Sequence, residues 1–292
     1  MNWMKLKWLY FLISALVLVP GTISLLRFGL KPSIDFTGGT LLELRFAGDK
    51  SIKTEEIQSA LKSVGIEAAS VQSSGEKTFL IRSRTITKEE ARVLETALGK
   101  NLEQMPEEIR FETVGPILGQ ELLSKTLIAI ILASVVILGY VASRFKGSKY
   151  GICAVLAMFH DSLVLLGLFS LLGHFLGVEV DTLFVTAMLT ILSFSVHDTV
   201  VVYDRIRESQ RLFPQTDFET LVNKAVTETL SRSLNNSLTI IFMLISLFLL
   251  GGPTIKWFVA ALLIGTVSGT YSSTFTAVPL LIIWEQIKKG RR

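Results

Sequence analysis

The chain has 292 residues, of which 50% are hydrophobic and only 18% charged, with a formal net charge of +4. A soluble domain usually carries about 25% charged residues, so the composition, with a mean hydropathy of +0.52, speaks against an ordinary water-soluble enzyme. A single cysteine excludes an internal disulfide framework and a cysteine-rich zinc site. The small basic surplus falls in short loops beside apolar segments, which gives no basis for nucleic-acid binding.

Six apolar runs are long enough for a bilayer whose core, about 30 Å thick, needs about 20 helical residues. They lie near 8–26, 122–142, 150–172, 182–203, 230–250 and 257–284. The first follows Lys5 and Lys7, as the apolar core of a signal peptide would. Its length and the lack of a small-x-small site after it favour a retained helix. Pro20-Gly21 inside it is tolerable where neighbouring helices take up the freed backbone groups.

Basic residues in short loops collect on one side: Lys5 and Lys7; Arg144, Lys146 and Lys149; Arg205, Arg207 and Arg211; Lys288, Lys289, Arg291 and Arg292. The loops on the other side, near 174–181 and 251–256, contain only Lys256. The positive-inside rule then predicts cytoplasmic termini and an extracytoplasmic polar stretch between the first two spans. The expected organisation is a first helix over 1–28, an extracytoplasmic domain over 29–120 and the remaining helices over 121–292.

The polar stretch reads as a small α+β domain. Leu42, Leu44 and Phe46 alternate with Glu43 and Arg45, the period of a half-buried strand. Ile57, Ala60, Leu61 and Val64 form one face of a helix over 54–64. Strands are expected near 69–72 and 78–83, joined across Gly75. Thr87 with Glu90 three residues later makes a capping box, and Ala91, Leu94 and Leu98 line that helix. A last strand is expected over 109–114. The order β-α-β-β-α-β is the ferredoxin-like arrangement. The stretch carries no metal cluster, nucleophile–base pair or phosphate loop, so the expected role is binding or force transmission without a cofactor.

Ionisable groups inside apolar spans carry most of the functional information, because each costs about 2.5–3.5 kcal/mol at a helix centre. The third span holds His160-Asp161, the fourth His197-Asp198 with Asp204 at its end, and the fifth starts with Arg232, Asn235 and Asn236. Asp198 lies about 24 Å along its helix from Thr182, and Arg232 about 27 Å from Leu250. Both distances start from the same membrane face, so a carboxylate–guanidinium pair between antiparallel neighbours is expected. Two readings stand: a proton relay, in which Asp198 loads and releases a proton under the control of Arg232, and a static pair that fixes helix register. Adjacent His and Asp side chains diverge by about 100° around a helix, so neither His-Asp sequence is taken as a dyad. Gly265 and Gly269 fit small-xxx-small packing, and the hydroxyls after them could pack or line a wet path.

Several segments share a further pattern. Ile34-Asp35-Phe36-Thr37-Gly38-Gly39-Thr40 follows the first span, and Glu112-Thr113-Val114-Gly115-Pro116 precedes the second. Ala154-Val155-Leu156-Ala157 leads to His160-Asp161. The fourth span ends in Val196-His197-Asp198-Thr199-Val200-Val201-Val202-Tyr203-Asp204-Arg205-Ile206-Arg207-Glu208. Thr229-Leu230-Ser231-Arg232-Ser233 and Gly265-x-x-x-Gly269-Thr270-Tyr271-Ser272-Ser273 complete the set. Across nearly the whole chain, these segments resemble the SecF family, membrane subunits of bacterial protein export related to the resistance-nodulation-division transporters. Ser33 and Ser193 stand where that family usually has Gly, and His197 where Asn is commoner.

The resemblance implies a multi-pass subunit of the bacterial cytoplasmic membrane. It implies pairing with SecD in a twelve-helix unit, work with the SecYEG channel on translocating preprotein, and use of the proton gradient without covalent catalysis. It assigns Asp198 to the proton pathway and Arg232 as its basic partner, with a further carboxylate on SecD. His197, Asp161 and His160 are secondary candidates in that pathway. Asp35, Gly38 and Gly39 fall at the joint between first span and domain. A non-coupled assembly scaffold and half of an efflux pump are the rival readings.

Overall fold

The computed structural model describes residues 2–48, 52–66, 68–75, 77–144 and 148–290. The basic loop residues Lys146, Arg291 and Arg292 lie outside them. The chain divides into two compact units, Met1–Lys31 with Ile128–Arg292, and Pro32–Leu127. In chain order, α1 (Lys7–Phe28) leads into α2 (Ile34–Thr37), β1 (Gly39–Phe46), α3 (Thr54–Ser63), β2 (Ala68–Gly75), β3 (Thr78–Ser83), α4 (Lys88–Leu102) and β4 (Pro106–Val114). The long helices α5 (Pro116–Arg144), α6 (Ser148–Leu176), α7 (Thr182–Leu212), α8 (Phe218–Leu250) and α9 (Pro253–Phe275) follow, and α10 (Ala277–Gly290) ends the series. Among the described residues, six helical spans are long and apolar enough to cross a membrane.

In the smaller unit the sheet is antiparallel throughout, in the order β2-β3-β1-β4. Alternation along β1 turns Leu42, Leu44 and Phe46 inward against Ile57 and Leu61 of α3 and Leu94 and Leu98 of α4. On the opposite face, Arg45 is exposed and Glu43 is buried. β4 starts earlier than expected, at Pro106. Proline is tolerated there because β4 is an edge strand. A bulge leaves Ile109 unpaired between Glu108 and Arg110, which breaks the alternation that would have revealed the longer strand. At the start of α4, Thr87 Oγ1 accepts from the Glu90 amide at 3.2 Å, and the Thr87 amide donates to Glu90 Oε2 at 2.9 Å. The Thr87 backbone N–H, and then the Arg84 guanidinium, hold the Glu90 carboxyl below its ordinary range.

In the helical unit, α1 lies against α6 at a glycine pair. A Cβ on Gly167 would come within 2.7 Å of Gly21 Cα, so only glycine permits this approach. Ser24 and Ser170 are hydrogen-bonded beside it at 2.8 Å. The sixth run, expected as one helix, is broken at Thr276 (φ −121°, ψ −55°). Pro279 accounts for the break. It has no amide to donate to Phe275, and its ring clashes with that carbonyl. Tyr203 is fully buried and donates its hydroxyl to the Ala277 carbonyl at 2.8 Å, taking up one backbone group at the interruption.

Candidate functional site

The polar interior is organised by spacing on α9. Gly265, Ser268, Gly269 and Ser272 stand at i, i+3, i+4 and i+7, one face of a helix. The two glycines bring that face onto α7. A Cβ on Gly269 would sit 3.4 Å from Ser195 Cα, and one on Gly265 would overlap Ile191. The same approach carries the two serines to Asp161 of α6.

Asp161 is completely buried. Ser195 and Ser272 donate to its Oδ2, each at 2.5 Å, and Ser268 donates to Oδ1 at 2.6 Å. His160 Nδ1 lies 3.1 Å from the same Oδ1, and its Nε2 lies 3.0 Å from Ser14 Oγ of α1. The expected divergence of His160 and Asp161 is therefore wrong. The helix separates the two Cβ atoms, but the imidazole swings back through its side-chain torsions. Three hydroxyls and one ring nitrogen fill the acceptor positions of a carboxylate. Such a shell is what allows a polar group to sit in a low-dielectric interior. One node thus ties α1, α6, α7 and α9 together.

Asp198 of α7 is also buried, at 5% exposure. Among the described residues, its one hydrogen-bond partner is Ser233 of α8, which donates to Oδ2 at 2.9 Å. The expected ion pair with Arg232 is not formed. Ser233 occupies the face of α8 that meets Asp198, and the preceding residue projects about 100° away. Arg232 is exposed and lines a cavity at the basic end of the helices. His197 is exposed, as are Asn235 and Asn236. Asp204 pairs with Arg144 of α5.

Asp35 lies in the first turn of α2, where Ser33 Oγ accepts from the Asp35 amide at 3.2 Å. The serine that departs from the family pattern thus caps this turn. Gly38 (φ 72°) and Gly39 (φ 122°) follow, in backbone conformations that favour glycine. A Cβ on Gly38 would approach Pro116 Cα to 2.8 Å, so the start of α5 presses directly on this turn.

Ser195, Ser14 and Ser233 are site residues that sequence reasoning does not single out, and Ser268 and Ser272 stand out only as part of a hydroxyl stripe. The available signal is small hydroxyls placed one helical turn apart or beside an intramembrane acid. Among the described residues, no group of three or more His, Cys, Asp or Glu could hold a metal ion.

Comparison with known proteins adds to this geometry. Residues 94–287 match the family model described as "Protein export membrane protein SecD/SecF, C-terminal", and residues 23–49 match "SecD/SecF GG Motif". The chain is 46% identical over 294 aligned positions to Protein translocase subunit SecF of Thermobaculum terrenum, covering 96% of this chain and 92% of that one. It is 39% identical to the SecF of Anaerolinea thermophila, covering 98% and 94%. Among solved structures it resembles SecDF from Thermus thermophilus, with a TM-score of 0.86 and 31% identity over 98% of this chain. A SecDF structure titled as a super-membrane-facing form gives 0.71 at the same identity over 100% of this chain. The chain spans only 39% of those SecDF chains.

Proposed function

The chain belongs to the SecF family of protein translocase subunits, and from that premise we propose that it works with SecD to couple the proton gradient to preprotein movement through SecYEG. Asp198 is the carboxyl group that exchanges the proton. The observation that carries this reading is the sparse shell of Asp198, a buried acid with one hydroxyl partner among the described residues. Arg232 and Ser233 are consecutive on α8, about 100° apart, so a turn of that helix exchanges one for the other at Asp198. In this scheme, the Ser233-bonded arrangement is the state in which the carboxyl is released from the guanidinium. Formation of the Arg232 pair stabilises the ionised form. His197, on the exposed side of α7, is a candidate for the proton's route rather than its resting place. Asp161 and His160 act as the fixed frame against which α8 moves.

Both termini lie in the cytoplasm and the inserted domain outside, as the basic loops indicate, in the bacterial cytoplasmic membrane. The strand order supports reading that domain as ferredoxin-like. The Gly38-Gly39 turn, pressed on Pro116, is the joint through which helix motion reaches the domain. No bond in the exported chain is made or broken.

The test is reconstitution with SecD and the channel, with export measured against an imposed proton gradient. Asp198→Asn is expected to lose the gradient-dependent part of export while retaining insertion and SecD binding. Export at the parent rate would refute the proposal.

A second reading, a scaffold without proton coupling, draws on α5. Over residues 128–144 only Val141 is buried, leaving an apolar flank to be covered by another subunit. Collapsing the gradient separates the readings, since a scaffold would be indifferent to it.

A further inference from the structure

Five arginines surround one cavity of about 540 Å³ at the basic end of the helical unit. Arg144 closes α5, Arg205, Arg207 and Arg211 lie near the end of α7, and Arg232 belongs to α8. The acidic residues in the wall, Asp204 and Glu208, already have partners. Asp204 pairs with Arg144 and lies 3.6 Å from Arg207, and Glu208 accepts from Arg205 at 2.6 Å. Arg205 also donates to Glu228 at 2.5 Å. Among the described residues, neither Arg211 nor Arg232 has an ion-pair partner, and both are exposed to the same cavity. Two guanidiniums from different helices thus line one cavity whose acidic wall is already engaged.

We propose that this cavity binds the phosphate of an acidic membrane phospholipid, held between Arg211 and Arg232. A planar guanidinium matches phosphate oxygens two at a time. Basic pockets between membrane helices at the cytoplasmic surface suit anionic headgroups, and the volume is in the range of ordinary small-ligand sites. Inorganic phosphate offers the same charge, but the walls favour a lipid. Val201 lines the cavity, and Val135 and Val136 of α5 and Leu234 and Leu238 of α8 are exposed on the adjoining helices. They leave apolar flanks along which acyl chains can lie.

The test uses the full chain purified in neutral detergent, with binding read by native mass spectrometry and by the lipid-dependent rise in unfolding temperature. Dioleoyl phosphatidylglycerol is titrated against dioleoyl phosphatidylcholine, and inorganic phosphate is added as competitor. The parent is expected to prefer phosphatidylglycerol. Arg211→Gln with Arg232→Gln is expected to weaken its binding about 10- to 30-fold, and the corresponding double lysine variant to recover only part of the loss, since it restores the charge but not the fork. A glutamine variant that elutes and unfolds like the lipid-free parent guards against misfolding. Equal binding by parent and glutamine variant overturns the proposal, as does displacement of the lipid by equimolar phosphate. Loss of lipid binding when SecD is co-purified would give these guanidiniums to an acidic group on that subunit, and would equally overturn it.

Discussion

Asp161 and Asp198 are buried acids on adjacent helices, α6 and α7, and their surroundings differ in kind. Three serine hydroxyls and an imidazole complete the shell of Asp161. Asp198 has Ser233 and, one position away on α8, an arginine with no ion-pair partner among the described residues. A complete shell opposes rearrangement, because any movement strips hydrogen bonds from a polar group in a low-dielectric interior. In the proposed scheme, the sparse shell leaves Asp198 free to exchange Ser233 for Arg232. Depth in a membrane therefore does not by itself distinguish a structural acid from a working one. On the proposed reading, the number of donors around it does.

Substitutions at the two acids test this contrast directly. The greatest loss is expected from Asp161→Ala, which takes the shared acceptor away from three serines and His160; His160 keeps Ser14 and Ser272 keeps the Gly269 carbonyl. It should cost about 3–5 kcal/mol, as loss of several buried hydrogen bonds at once does. Asp198→Ala should cost only about 1–2 kcal/mol, because one hydroxyl is orphaned. Thermal unfolding in detergent compares them, and equal losses would remove the distinction. Next come Ser195→Ala and Ser272→Ala, each expected to cost about 1.5 kcal/mol. Both serines donate to the same oxygen, so their double-mutant cycle should show coupling beyond about 0.5 kcal/mol.

Gly269 probes the same node without removing a polar group. Gly269→Ala meets only ordinary contact distances of 3.4 Å and should be nearly neutral. Gly269→Leu should force α9 off α7 and cost about 1–3 kcal/mol. If the leucine variant unfolded like the parent, close helix approach would not be what delivers Ser268 and Ser272 to Asp161.

Weaker effects belong to the inserted domain, which serves as the reference region outside the bundle. Thr87→Ala removes a helix cap and should cost about 1 kcal/mol, read by hydrogen exchange over α4. Glu90→Gln has a predicted pH sign. The Glu90 carboxyl is lowered in the folded state, so its stabilisation is present above the ordinary value of 4.5 and is lost as pH falls through the folded value. Parent and variant should therefore differ at neutral pH and converge in acid. A gap that persisted below the folded value would assign the effect to packing.

Much of this molecule is legible in its residues alone. Apolar runs of bilayer length mark the spans, alternation marks β1, and a capping box marks the start of α4. The bulge at Ile109 hides the first part of β4 because it interrupts the alternation. The break at Thr276 is harder to see, since Pro279 sits in a run whose hydropathy is continuous. The candidate acids are conspicuous because charge in an apolar segment is rare. Their partners are not, since a serine in a membrane helix looks the same whether it caps a carboxylate, bonds its own backbone or packs against a neighbour.

The number of spans, the sidedness of the basic residues and the identity of the costly intramembrane acids follow from local composition. Transfer free energies and helix rise act on each segment separately, so no knowledge of neighbouring helices is needed for them. Which hydroxyl meets which carboxylate, and that Ser233 rather than Arg232 faces Asp198, depends on the packed bundle. A rotation of one residue's worth about a helix axis exchanges the two, and the rotation of each helix is set by packing against its neighbours.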